Sequence, residues 1–253
     1  MRDTAELTSR LRAAGCVFAE DEAALILSTA RTAGEVQSMM TRRLAGEPLE
    51  HVLGWAEFRG LRLVVAPGVF VPRRRTEFLV DRAADGLVAG NVAVDLCCGC
   101  GAVAAALVAE VPGIEIHAAD LDPAAVRCAR TNLGQKGSVH RGDLDDALPS
   151  TLRGRVDVLV ANTPYVPTAE IAHMPPEARE HEPGLALDGG TDGLDVQRRL
   201  AARARRWLAP GARVLVESSI DQSSTTARVF ERHGLTAHVF TDEDTAVVVG
   251  HAG

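Results

Sequence analysis

Polar and apolar positions change their rhythm several times along the chain, and each change marks a new element. Up to about residue 46 apolar positions recur every three or four residues, broken by Gly15, Gly34 and Gly46, which predicts three short helices. The first places Leu7 and Leu11 on one face and opens on a capping pair, Asp3 with Glu6, ending at Gly15. The others run from Glu20 to Ala30 and from Glu35 to Leu44, closed by Gly34 and Gly46. So small a bundle has little core of its own and must lean on something larger. From His51 the period shortens. Trp55 to Val65 alternates toward strand, Pro67-Gly68 turns the chain, and Val69-Phe70-Val71 follows, which together predict a β-hairpin linking two domains. A helix is predicted from Pro72 to about Val88.

Beyond this point, apolar runs of strand length alternate with helical periods. Asn91 to Gly101 reads as a strand entering a glycine loop, with a helix from Ala102 to Glu110. Ile114 to Asp120 is the next strand, and Asp122-Pro123 opens a helix, Asp as N-cap and Pro at the first position, that stops near Gly134. Strands follow at Val139 and at Val156 to Ala161; the latter is valine-rich and reads as buried on both faces. Val166 to Gly190 holds four prolines and little periodicity, the mark of a functional loop. Leu194, Leu200, Ala204 and Leu208 line one face of a further helix, Val214 to Glu217 is a fifth strand, and Leu235 to Gly250 is a pair of strands joined at Asp242-Glu243-Asp244. Strand–helix alternation of this kind predicts an α/β fold around a mainly parallel sheet. The expected divisions are a helical segment 1–48, a hairpin linker 49–75 and a large α/β domain 76–253.

Composition narrows the function. A chain with 46% hydrophobic and 24% charged residues is an ordinary globular protein, and with only 4% aromatics its core must be Ala, Val and Leu. A net charge of −7 argues against a direct nucleic-acid partner, so the basic runs at Arg73-Arg74-Arg75 and at Arg203, Arg205 and Arg206 read as solvated surface. The opening Met-Arg-Asp-Thr-Ala-Glu has no apolar signal region, and no apolar run is long enough to span a bilayer, so a cytoplasmic protein without a membrane partner is expected. Five cysteines make a disulfide framework improbable. Cys97-x-x-Cys100 is either a redox pair or small buried loop residues, the second being favoured, and it makes a poor zinc site. No metal is expected.

The candidate chemistry gathers where the Val156–Ala161 strand stops at Asn162-Thr163-Pro164-Tyr165. In open α/β sheets ligands bind at the carboxyl ends of strands. Asn162 offers an amide acceptor, Pro164 stiffens the turn so that neighbouring carbonyls point one way, and Tyr165, the only tyrosine, adds an aromatic face. Together they form a cradle for a planar NH2 group; the plainer alternative is an ordinary Asn-Pro turn. Asp120 ends its strand about twenty residues past the glycine loop, the spacing at which an acid holds ribose hydroxyls. Asp143 is either a nucleotide-facing acid or another loop carboxylate. None of the eight histidines has a His-x-x-x-His spacing, and no Gly-x-Ser-x-Gly elbow is present.

Asn162-Thr163-Pro164-Tyr165 resembles the Asn-Pro-Pro-Tyr motif of S-adenosylmethionine-dependent methyltransferases that modify planar amide or amino nitrogens. Pro72-Arg73-Arg74-Arg75-Thr76-Glu77 after a hairpin, His181-Glu182-Pro183 and Ala186 to Leu194 resemble, more narrowly, the release-factor glutamine methyltransferases, over roughly residues 50 to 253. The resemblance implies a Rossmann-like, seven-stranded methyltransferase sheet ending in an antiparallel hairpin. It implies S-adenosylmethionine as cofactor, with S-adenosylhomocysteine as product, held by Asp95, Cys97, Gly99, Gly101, Asp120, Leu121, Asp143, Leu144 and Asn162. It places catalysis at Asn162, Thr163, Pro164 and Tyr165, and substrate contacts at Arg73, Thr76, Glu77, Glu182 and Pro183, although Glu182 could instead cap its loop. The implied partner is a protein, the Gly-Gly-Gln glutamine of a peptide chain release factor. Two positions depart from the pattern: Cys97 stands at the first glycine of Asp-x-Gly-x-Gly-x-Gly, and Thr163 at the first proline. The helical segment is also shorter than in the related enzymes. A nucleic-acid amino methyltransferase and a catalytically degenerate cofactor-binding homologue are the alternatives.

Overall fold

The computed structural model describes residues 4–253, so the expected Asp3–Glu6 capping pair lies outside the described residues. Helices α1 (Thr4–Ala13), α2 (Ala19–Thr29) and α3 (Ala33–Leu44) share a small core that includes Leu7, Leu11, Ala23, Ile26 and Met40. A capping box opens α3: the Thr32 hydroxyl accepts from Glu35 N, and the Glu35 carboxylate accepts from Thr32 N. Gly34 therefore sits in the first turn of α3 and does not close α2 as expected. A short helix, α4 (Leu49–Leu53), ends at Gly54 with φ +80, within the segment 49–75 expected as the hairpin linker.

The hairpin pairs β1 (Trp55–Phe58) with β2 (Leu61–Val64), and its turn is Arg59-Gly60, not Pro67-Gly68. Both turn residues have positive φ, +50 and +72, as a two-residue hairpin turn demands. The expected single strand from Trp55 to Val65 thus folds back on itself. Val69 and Val71 are buried but unpaired, because Pro67 and Pro72 bracket them and neither can donate to a ladder. A 3-10 turn over Arg74–Thr76 leads into α5 (Glu77–Ala84), which stops short of Val88 at Asp85-Gly86.

The large sheet is built from β3 (Val92–Leu96), α6 (Ala102–Glu110), β4 (Glu115–Asp120), α7 (Pro123–Leu133), β5 (Ser138–Arg141) and β6 (Val156–Ala161). Then come α8 (Pro176–His181), α9 (Gly184–Leu187), α10 (Asp195–Ala204), β7 (Leu208–Ser218), α11 (Ile220–Arg232), β8 (Leu235–Asp242) and β9 (Thr245–Ala252). Three of these correct the sequence reading. The loop after β6 contains a 3-10 turn, α8 and α9; Leu208 begins a strand and does not finish a helical face; and α11 was not anticipated.

Strand order is β5-β4-β3-β6-β7-β9-β8, the first five parallel and β9 antiparallel to both its neighbours. The chain winds outward from β3 in one direction to β5, then returns to β6 on the other side of β3. Chain connections therefore leave in opposite directions at β3 and β6, opening a crevice at their carboxyl ends. Apolar clusters cover both sheet faces: Val158, Val160 and Leu215 on one, Val94, Leu159 and Val216 on the other. Each fully buried Val or Leu stabilises by roughly 1.5–3 kcal/mol, so β6, with Val156, Val158, Leu159 and Val160 all buried, is firmly seated. Among the described residues no helix is long and apolar enough to cross a membrane.

Candidate active site

The carboxyl ends of β3, β4 and β6 open onto a cleft of about 500 Å³. Its floor is the loop after β3. Gly99 has φ +54, and a Cβ there would meet open space, so the bare backbone faces the cleft. Gly99 N donates to Asp120 Oδ2 at 2.8 Å, and Asp122 N donates to Asp120 Oδ1 at 2.8 Å. Asp120 thus ties the glycine loop to the turn after β4 and keeps lone pairs free for hydroxyl donors; burial raises its pKa. Asp95 is almost fully buried and accepts from Ala104 N at 3.1 Å, capping the start of α6. Burial pushes its pKa up to about 8, the Ala104 N–H opposing and the Asp120 charge adding to the rise.

Cys97 has φ +56 in the cleft lining, so the backbone adopts the glycine conformation although the residue is cysteine. Burial raises the pKa of Cys97 and Cys98 strongly and that of Cys100 to about 12. Thiols held protonated in this way are poor nucleophiles, which disfavours a redox pair. Gly101, expected in the cofactor site, does not line the cleft. Its φ is +81 at the start of α6, and an added Cβ would lie 3.0 Å from Ala129 Cβ, so it permits α6 and α7 to pack closely. Leu121, Asp143 and Leu144 complete the mouth, and Asp143 pairs with Arg199 of α10 at 2.5 Å.

At the end of β6, Asn162 Nδ2 donates to the buried Thr76 hydroxyl at 3.3 Å. That contact orients the amide and leaves its oxygen as the acceptor a ligand N–H requires. Thr163 and Pro164 are buried in the cleft wall; Thr163 Oγ1 has no partner among the described residues. Tyr165 is gripped twice. Its hydroxyl donates to Glu217 Oε1 at 3.0 Å, and its carbonyl accepts from Gln222 Nε2 at 3.0 Å. The segment 186–194 braces the corner from behind: Gly189 N donates to Val166 O, and Val166 N to Leu187 O.

The remaining wall comes from residues 70–76 and 174–188. Glu182 is buried, and both carboxylate oxygens are engaged, by Val71 N at 3.1 Å and by Arg73 at 2.6 Å. Arg73, Thr76, Glu182 and Pro183 line the cleft; Glu77 does not, its carbonyl instead receiving the Arg59 guanidinium. The basic run at 73–75, read as solvated surface, instead places Arg73 and Arg75 in the cleft lining, and Glu217, Gln222 and Arg199 escaped the sequence reading. Glu217 carried the one usable signal, an ionisable residue at the carboxyl end of a predicted strand.

A release factor glutamine methyltransferase of Streptomyces coelicolor is 45% identical over 197 residues, 76% of this chain and 70% of that protein. This chain belongs to the release factor glutamine methyltransferase family. The family model for the methyltransferase small domain matches residues 60–175, the span from the hairpin through the Asn162 corner. A 4-amino-L-phenylalanine/4-methylamino-L-phenylalanine methyltransferase of Streptomyces pristinaespiralis is 40% identical over 205 residues, 78% of this chain and 70% of that one. In fold, the chain is similar to a methyltransferase of Pyrococcus furiosus, with a TM-score of 0.59 at 16% identity over 84% of this chain and 97% of the other. The expected seven-stranded methyltransferase sheet with its antiparallel end is thus the observed one.

Proposed function

We propose that this protein transfers a methyl group from S-adenosylmethionine to the side-chain amide nitrogen of a glutamine in a peptide chain release factor. The observation that carries the proposal is Asn162, fixed by Thr76 at the end of β6 beside a rigid, buried Thr163-Pro164 turn. The cleft fits the cofactor: bare backbone at Gly99, a carboxylate at Asp120 with hydroxyl-binding capacity to spare, and apolar Leu121 and Leu144 at the mouth. Asp95, Cys97, Gly99, Asp120, Leu121, Asp143 and Leu144 would hold it. When bound, it supplies an activated methyl group on a sulfonium sulfur.

The protein's own task is alignment. An amide nitrogen is a weak nucleophile because its lone pair is delocalised. The Asn162 side-chain oxygen and the Thr163 carbonyl accept its two hydrogens, turn the lone pair toward the methyl donor and stabilise the positive charge that grows on nitrogen. Thr163 preserves the carbonyl that a proline would offer there. The Tyr165 ring walls the site and limits water.

Asn162→Ala is expected to cut turnover by at least a hundredfold while the cofactor dissociation constant stays within twofold. Mass spectrometry of a purified release factor after incubation with the protein and S-adenosylmethionine reads the product on the Gly-Gly-Gln peptide. Full activity in that variant would rule out the amide clamp. A second reading, N-methylation of an aromatic amine, has one observation in its favour, the similarity to the 4-amino-L-phenylalanine enzyme. Offering 4-amino-L-phenylalanine in a parallel reaction separates the two.

A further inference from the structure

Strands β6 and β7 are parallel with Ala161 opposite Val216. The next residue on each, Asn162 and Glu217, therefore emerges side by side at the carboxyl edge. Glu217 is 1% exposed, and its Oε1 accepts from Tyr165 Oη at 3.0 Å and from Arg75 Nε at 3.4 Å. Its Oε2 is buried with no partner among the described residues. A half-satisfied buried carboxylate costs stability and is not what packing alone selects. Both groups that it holds, Tyr165 and Arg75, line the cleft, whereas Glu217 does not.

We propose that Glu217 is a positioning residue for methyl transfer: through Tyr165 Oη and Arg75 it fixes the aromatic and cationic walls of the substrate amide site. The proposal rests on the reading of the Asn162 corner as the acceptor site. Gln222 secures the other end of the same residue, at the Tyr165 carbonyl, so the ring is held at its hydroxyl and its backbone. With the hydroxyl released, the ring regains rotameric freedom and the nitrogen is aimed less often along the transfer line. The negative charge of Glu217, in a region of low dielectric next to Asn162, also favours the positive charge that develops on nitrogen.

The test exploits the fact that Tyr165 is the only tyrosine in the chain. Tyrosine labelled with carbon-13 at Cζ gives one resonance, and Glu217→Gln is expected to shift it, because a charged acceptor is replaced by a neutral one. Kinetically, Glu217→Gln and Tyr165→Phe are each expected to lower kcat about tenfold, with substrate KM and cofactor affinity within twofold of the parent. The double variant is expected to lose no more than the worse single one, since Tyr165→Phe removes the contact that Glu217→Gln weakens. Glu217→Asp, which restores the charge, should recover part of the loss. An unmoved resonance, additive losses, or a loss confined to KM or to cofactor binding would overturn the inference. If the parent protein itself fails to methylate a release factor, the assignment of substrate falls, while the resonance of Tyr165 still decides whether Glu217 holds it.

Discussion

Asp95 is buried at the end of β3 and supports α6 by accepting Ala104 N–H, yet burial holds its carboxyl at a pKa of about 8. The unfolded chain releases that proton near the ordinary carboxylate value, so between these two limits the folded state binds one proton more. This contribution to stability is fully present below the unfolded pKa and is lost as pH rises through the folded one, at a rate of at most roughly 1.4 kcal/mol per pH unit. Asp95→Asn keeps an acceptor for Ala104 and removes the titration. Its stability relative to the parent should therefore climb from pH 5 to about pH 8 and level off above, as measured by denaturant unfolding at each pH. A constant difference across that range would show that Asp95 is not the titrating group. Cys97 shows how far one residue was legible. The missing glycine was visible in the motif, but not the φ of +56 that the loop still imposes, a conformation costing roughly 1–2 kcal/mol for a residue with a Cβ. Glu217 and Gln222 were less legible still, because their meaning comes from Tyr165, more than fifty positions away in the chain.

Among elements, the strands with unbroken apolar runs and the helix with its own punctuation were read correctly. β6 spans Val156–Ala161 as expected, and α7 runs from Pro123 to Leu133 with Asp122 Oδ1 accepting from Ala124 N. Where tertiary contacts supply the stability, local pattern fell short. Helix α11 contains Ser223-Ser224-Thr225-Thr226, poor helix formers, and is held by burial of Val229 and Phe230 and by a hydrogen bond from Thr226 to Gln197. The segment 186–194 was recognised as a motif, but its use as a brace appears only in three dimensions. A Cβ at Gly193, where φ is +80, would lie 2.3 Å from both the Tyr165 carbonyl and Gln222 Nε2. Gly193→Ala must therefore displace the corner: a loss of roughly 1–3 kcal/mol in stability and at least a tenfold fall in kcat are expected, read by thermal unfolding and by release-factor methylation. Parental kcat in this variant would mean that the brace does not set the geometry of the corner.

Across the whole molecule, one ion cluster, buried at Arg43 and Glu22 and exposed at Glu177, joins the N-terminal helices to the wall of the cleft. Arg43 of α3 contacts Glu22 of α2 at 2.6 Å and Glu177 of α8, and it donates to Glu47 O at 3.0 Å. Its hydrogen bonds to Glu22 outweigh desolvation and raise its pKa further. Glu177 borders the cleft, so this ion pair ties α8 to a helix outside the sheet. Arg43→Ala leaves Glu22 buried without its counter-charge, and a loss of about 3–5 kcal/mol is expected. Hydrogen exchange of residues 174–187 should also quicken, which distinguishes a lost clamp from a merely weakened bundle. Unchanged exchange there would mean that α8 is held by the sheet side alone. The order of synthesis adds a constraint of another kind. β9 is made after β8 yet lies between β8 and β7, so a nascent chain must hold open a slot in its own sheet, with the apolar flank of β7 awaiting its last neighbour. Until that strand is threaded home, β7 is an unguarded edge on which another chain could pair.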